Sequence, residues 1–466
     1  MPESWKNWKN GNPEASYKNM GEHQGNLTTG NIRKKLIAYA LPLVLTSVLQ
    51  ALYSIADLLI AGQFIGKRSV SAINNSSQIM NLLTQVAVGL TLGGNILIGQ
   101  YFGNSSHKER KMAGGTLFSV SLLFGAVSGI IIFLTSGALL KMLGVPAMEE
   151  SIEYLHICAG GCLFILGYNA LSSIMRGTGN SRVPFLCILY SILLNVILDI
   201  CFVVLFKMGI KGVAYATVFA QAVSFATALA YTWKHQSYYG FYLKNFKIRI
   251  EKLWAIMKLG VPCVLQNTVA GISWLTVTYF INQYGVDVSA GNGISIKIKE
   301  FSQLFITSMS GGAATMIAQN LGAGQFERAR ETMKEGMKIC LVMAGIVILV
   351  IEISAPWLAS LFTKDPNVVS AAVMNLRIEI IGQIFYAMFL NYHSLMTGAG
   401  HTMYVFMSSF VNCILVRIVL AGIFNHLIGL NGVYLACLIA PSVSVPIGYL
   451  YTKSGIWKRD RLLVMN

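Results

Sequence analysis

Two acids stand where an acid is costly. In Ser54-Ile-Ala-Asp57-Leu-Leu-Ile-Ala-Gly62 and in Asn195-Val-Ile-Leu-Asp199, a carboxylate is set inside an otherwise apolar run. A charge at the centre of a bilayer costs on the order of 2.5–3.5 kcal/mol on insertion scales, so an acid kept at such a place is a candidate for function. Asn195 and Asp199 are spaced i and i+4 and therefore share one helical face. There an amide and a carboxylate can hold a proton or offer oxygen atoms to Na+. A cation-coupling role is expected for Asp57 and Asp199, against the plainer reading of an interhelical hydrogen bond that only fixes packing.

The other ionisable residues point less clearly to chemistry. Glu300 follows Lys297 and Lys299, a cluster that can pair internally or line a cavity. Glu379, Arg377 and Arg417 read as structural or interfacial, and Glu352 sits near the outer end of its run, where solvation is cheap. His156 and His393 have no partner at metal-ligand spacing, and the eight cysteines form no C-x-x-C pair, so they read as packing residues. No resident metal or cofactor is expected. No P-loop, H-E-x-x-H, G-x-S-x-G or DDxxD-like cluster occurs, so enzymatic chemistry has no visible machinery and any pumping must draw on an ion gradient. Abundant Met and aromatic residues could suit flat hydrophobic cations as substrates.

The elements that must position these residues follow from composition. The 466 residues are 55% hydrophobic and 12% charged, far from the roughly 25% charged residues of a soluble domain. Lipid is the expected solvent. Apolar runs fall at 36–65, 71–101, 112–140, 151–175, 184–206, 209–232, 254–284, 289–320, 336–361, 368–396, 403–425 and 430–452, which predicts an all-α polytopic membrane protein of twelve transmembrane helices. The net charge of +16 makes no aromatic-interleaved basic face for nucleic acid. Its Lys and Arg instead collect on alternate connections, at Arg33-Lys34-Lys35, Lys108 to Lys111, Lys244 to Lys252 and Arg328 to Lys338. By the positive-inside rule both termini are cytoplasmic, in the bacterial inner membrane. The polar first thirty residues do not resemble a cleavable signal.

The chain also repeats itself after about 220 residues. Leu41-Pro42 returns as Val261-Pro262, Ser71-Ala72 as Ser289-Ala290, and Gln100 with Gly103 as Gln319 with Gly322. Met175-x-Gly177-x-Gly179 returns as Met396-x-Gly398-x-Gly400, Asn195 as Asn412, and Gly209-x-x-Gly212-Val213 as Gly429-x-x-Gly432-Val433. Six helices per half is an even number, so the repeat is parallel. The expected organisation is a tail at 1–33, an N-lobe at 34–232, a linker at 233–253, a C-lobe at 254–452 and a tail at 453–466. Asp57 aligns with Val277 and Asp199 with Val416, so ion coupling is expected in the N-lobe alone.

In this order, Leu41-Pro42 with Asp57 and Gly62, Gly99-Gln100-x-x-Gly103, Arg176-Gly177-x-Gly179, Asn195-x-x-x-Asp199, Gly212-Val213-Ala214 and Ala318-Gln319-Asn320-x-Gly322-Ala323 resemble the multidrug and toxic compound extrusion (MATE) family, over about residues 33–455. The resemblance implies two six-helix lobes that export organic cations or amphiphiles against H+ or Na+ by alternating access. It also implies an N-lobe cation site at Asp57, Asn195, Asp199 and Thr217. Some bacterial members carry a glutamate in helix seven where this chain has Ala270, so it looks closer to the DNA-damage-inducible branch. The expected protein is a monomer taking small amphiphilic or cationic substrates. The alternative is a lipid-linked oligosaccharide flippase, which would favour a cationic central cavity and often two further helices; a membrane scaffold or membrane-embedded enzyme is the non-transporter reading.

Overall fold

The computed structural model describes residues 25–458 apart from 143 and 146. The expectations for the two tails therefore lie outside the described residues at 1–24 and 459–466. Twelve long helices are described: α1 Ile32–Phe64, α2 Lys67–Gly103, α3 His107–Met142, α4 Met148–Gly177, α5 Arg182–Leu205, α6 Ile210–Lys234, α7 Ile250–Asn282, α8 Val286–Gly322, α9 Phe326–Ser360, α10 Pro366–Gly398, α11 Thr402–Ile428 and α12 Leu430–Ser454. Eleven are long and apolar enough to cross a bilayer. The twelfth, α8, carries Asp287, Lys297, Lys299 and Glu300 and a second half rich in Ser and Gly, which dilutes its apolar character. At 37 residues, α2 is about 55 Å long at 1.5 Å per residue, so it must tilt or project beyond a ~30 Å hydrocarbon core.

The internal repeat has a backbone cause at several of its marks. Pro42 lies inside α1 and Pro262 inside α7, where the missing N–H frees a carbonyl and lets a long helix bend. Gly179 and Gly400 both stand at φ +84 after α4 and α10, a left-handed turn that disfavours any side chain with a Cβ. Helices α5 and α11, counterparts in the repeat, each loosen into a π-helical stretch, Ile200–Leu205 and Val411–Ile418.

The chain divides into two compact units. Of the described residues, one unit comprises 52–256 with 25–31 and 322–324; the other comprises 257–321 and 325–458 with 32–51. The division falls inside α1, so the half of that helix bearing Asp57 belongs to the first unit. Within that unit α4 packs against α2, α3 and α6. Gly129 of Gly125-x-x-x-Gly129 brings α3 so close to α4 that a Cβ there would stand 2.6 Å from the Ala159 carbonyl oxygen, a small-residue contact typical of helices packed in lipid. Within the second unit α12 packs against α10 and α11.

The basic stretch between α6 and α7 is docked on the first unit rather than strung out. The buried Arg110 of α3 donates from Nη2 to the Tyr238 carbonyl at 2.7 Å and lies over the Phe102 and Tyr238 rings at 5.3 and 5.4 Å. Burial pushes the Tyr238 phenol above its ordinary value, so it stays neutral beneath the guanidinium. Lys252 reaches Glu109 at 2.5 Å and the Tyr101 hydroxyl at 2.9 Å. Arg110→Ala removes a charge-assisted hydrogen bond and two cation–π contacts, about 3 kcal/mol together. It is expected to expose residues 236–249 to proteolysis and to lower the melting temperature; unchanged cleavage would show that this contact does not hold the segment.

Candidate functional site

In the first unit, α1, α5 and α6 bring four polar side chains into an apolar surrounding. Asp57 is buried, and Asn195 and Asp199 are fully buried. With its carboxamide oriented to satisfy both ends, Asn195 donates from Nδ2 to Asp199 Oδ2 at 2.9 Å and to Asp57 Oδ1 at 3.1 Å, while its oxygen accepts from the Thr217 backbone N–H at 3.2 Å. One amide therefore ties two carboxylates from different helices. The Asp57 and Asp199 side chains also lie within hydrogen-bonding reach of each other. Since a carboxylate only accepts, such a bond exists when one of the two carries a proton. The second oxygen of Asp199, Oδ1, is buried without a partner.

A tyrosine completes the set. Tyr53 precedes Asp57 by one helical turn, so the two share a face of α1. Its hydroxyl lies 3.2 Å from the Thr217 hydroxyl and stands beside the Asp57 carboxylate. Thr217 thus touches Asn195 through its backbone and Tyr53 through its side chain. Tyr154 of α4, also buried, packs in one apolar cluster with Ala61 of α1, Ala72, Ile73, Val213 and Ala214. The π-helical stretch begins at Ile200, directly after Asp199. Such a stretch leaves the regular i to i−4 ladder and is often found at functional sites. Neither tyrosine was singled out in the sequence; the spacing of Tyr53 from Asp57 was the available signal.

The structure therefore brings Asp57, Asn195, Asp199 and Thr217 together. Lys297 and Glu300 lie in the other unit, pair with each other at 3.1 Å and have exposed side chains. Lys299, two residues along the same helix, turns inward instead and pairs with the buried Glu379 of α10. Arg377 pairs with Glu352 at 3.8 Å. Val277 and Val416, the repeat counterparts of the two acids, stand in α7 and α11; Val277 belongs to an apolar cluster with Ala421, Val433 and Tyr434.

Tyr53→Phe keeps the ring and removes only the hydroxyl that contacts Thr217 beside Asp57. A neutral hydrogen bond of this kind contributes about 1 kcal/mol. The expected result is a roughly fivefold fall in any activity that depends on Asp57, with little change in melting temperature; full activity would place the hydroxyl outside the site's working parts.

Comparison with known proteins adds to this geometry. A family model described as MatE matches twice, at residues 42–201 and 262–423, one match per half of the internal repeat. The chain is 25% identical over 446 residues to the probable multidrug resistance protein YoeA of Bacillus subtilis, covering 93% of this chain and 96% of that protein. It is 24% identical over 443 residues to the multidrug export protein MepA of Staphylococcus aureus, covering 92% and 95%. Among solved structures, MATE in complex with MaL6 superposes with a TM-score of 0.88 at 20% identity, over 94% of this chain and all of that one. An outward-facing multidrug resistance MATE family transporter superposes equally well, at 20% identity over 94% and 99%. Twelve helices in two repeated sets, each set recognised by the same model, place the chain in the MATE family.

Proposed function

We propose that this protein is a secondary antiporter that exports small amphiphilic or cationic molecules by alternating access, driven by cation occupancy of the Asp57–Asn195–Asp199 set. The observation that carries the reading is the pair of buried carboxylates joined by one amide. Two carboxylates this close cannot both ionise cheaply in a low-dielectric setting, so a bound proton or cation changes the stability of the local packing by kcal/mol amounts. That energy difference is what a transporter needs if ion occupancy is to bias one conformation over another. The names of the relatives, which export multiple drugs, support the substrate class.

Of the two coupling ions, we favour H+. A proton shared between Asp57 and Asp199 relieves their repulsion and lets the Asn195 amide donate to both acids while its oxygen accepts from the Thr217 N–H. With the amide turned over, its oxygen would join the carboxylates as a ligand for Na+, so the two ions call for opposite amide orientations. The flippase alternative favours two further helices; twelve are present among the described residues. We place the protein in the bacterial inner membrane with both termini cytoplasmic, because its basic clusters fall on one set of connections.

The test uses the full chain in liposomes loaded with a fluorescent organic cation such as ethidium, with pH and Na+ gradients imposed separately. Dye movement that follows the pH gradient and ignores the Na+ gradient is expected. Movement that follows Na+ alone would overturn the proton reading, and movement indifferent to both would overturn coupled antiport.

A further inference from the structure

The second unit buries a different kind of polar site. Its centre is the indole of Trp274 in α7. The Arg417 guanidinium lies over that ring at 4.8 Å and the Lys299 ammonium approaches it at 5.3 Å. Lys299 is paired with Glu379 and contacts the Asn375 carboxamide oxygen at 3.4 Å, and Asn375 in turn donates to Asn292 at 2.9 Å. Two cations face one carboxylate, so the group carries a net charge of +1.

Arg417 is the residue left over. It is 6% exposed, and its Nε and Nη1 are buried with no hydrogen-bond partner. It forms no ion pair among the described residues. Arginine does not deprotonate in proteins, so neutralisation, the usual escape of a buried charge, is closed to it. Contact with an aromatic face recovers only part of the hydration a guanidinium loses on burial. A buried cation with two unpartnered nitrogens asks for an anion.

Its position in the repeat strengthens the case. Aligning Asn195 with Asn412 sets Asp199-Ile200 against Val416-Arg417. Arg417 lies within the π-helical stretch Val411–Ile418, and the fully buried Ser273 of α7 donates to the Cys413 carbonyl of that stretch at 2.7 Å. The corresponding helices of the two units therefore offer a carboxylate in one and, one position further along, a guanidinium in the other.

We propose that Arg417, Lys299 and Trp274 form a binding site for a monovalent anion with halide or carboxylate chemistry. Trp274, half-buried, walls the site beside the two cations, and Arg417 takes the charge of the anion. Glu379 holds Lys299 in place and keeps the site at a single positive charge, which suits a monovalent rather than a divalent ligand. The inference does not rest on the coupling reading, because binding is measured with no ion gradient.

The experiment uses the full chain in lipid nanodiscs in a low-salt zwitterionic buffer, followed by melting temperature and tryptophan fluorescence. Sodium chloride and sodium benzoate are titrated in separate arms, so that a free inorganic anion and an organic carboxylate are told apart, with sodium sulfate as the divalent control. Saturable stabilisation by chloride, benzoate or both, with sulfate weaker, is expected. Arg417→Gln should raise the half-saturating concentration at least tenfold, Arg417→Lys should restore part of the affinity, and Trp274→Phe should remove the fluorescence response. Should Arg417→Gln fail to fold, the Trp274→Phe protein and the wild type still decide the matter. Identical, non-saturating responses to all three salts, or an anion response that Arg417→Gln leaves intact, would overturn the proposal.

Discussion

Asp57→Asn is expected to abolish gradient-driven efflux while the protein folds, inserts and melts at least as well as the wild type. The substitution preserves shape and leaves a neighbour for Tyr53, but it removes one of the two charges that make the site responsive to a cation. A buried carboxylate–cation contact of about 3 kcal/mol corresponds to a factor of about 10², so dye efflux should fall by at least that factor, towards passive leak. Stability should move the other way. Asp57 and Asp199 are like charges joined by the Asn195 amide, and replacing one of them relieves whatever repulsion the pair retains. Reconstituted transport and thermal unfolding, measured on the same preparation, separate the two effects. Undiminished efflux in Asp57→Asn would remove the coupling role assigned to the pair; lost efflux together with a collapsed melting temperature would assign Asp57 to packing. Asp199→Asn should behave alike, since a single amide serves both acids.

The largest expected effect on stability lies in the other unit. Lys299→Met strands the buried Glu379, and Glu379→Met strands the buried Lys299. Breaking one side of such a pair typically costs about 3–5 kcal/mol, because the remaining charge keeps the full desolvation penalty. The double substitution Lys299→Met, Glu379→Met removes both charges and should recover most of the loss. Melting temperatures of the four proteins close a double-mutant cycle. Additive losses, with the double variant the least stable, would show that the two side chains are not energetically paired. Lys297→Met and Glu300→Gln serve as a control only two residues away in sequence. Their exposed pair belongs to the class that contributes about 0–1 kcal/mol, so a change near zero is expected.

The contrast between Lys297 and Lys299 marks how far the sequence can be read. Lys297, Lys299 and Glu300 look like one cluster in the chain, because spacing tells which residues share a helical face but not which face meets another helix. Two residues along an α-helix are about 200° apart, so Lys299 turns to the interior of the unit and Lys297 away from it. Glu379 and Arg417 read as structural or interfacial for the same reason: their partners come from α8 and α7, and nothing along the chain says which helices become neighbours.

What the sequence determined alone is whatever depends on one helix at a time or on solvent. Twelve apolar runs, the repeat with its prolines and positive-φ glycines, and the i, i+4 pairing of Asn195 with Asp199 all belong there, since backbone hydrogen bonding in lipid must be met within each segment. What only the tertiary structure decided is the company each charge keeps. Asp57 and Asp199 are 142 positions apart in the chain, and they meet because α1 and α5 pack in one unit, while the counterpart turn in the other unit presents Arg417 to an indole. In a low-dielectric interior the energy of a charge is set almost wholly by its nearest partners, and those are chosen by helix packing rather than by position in the chain.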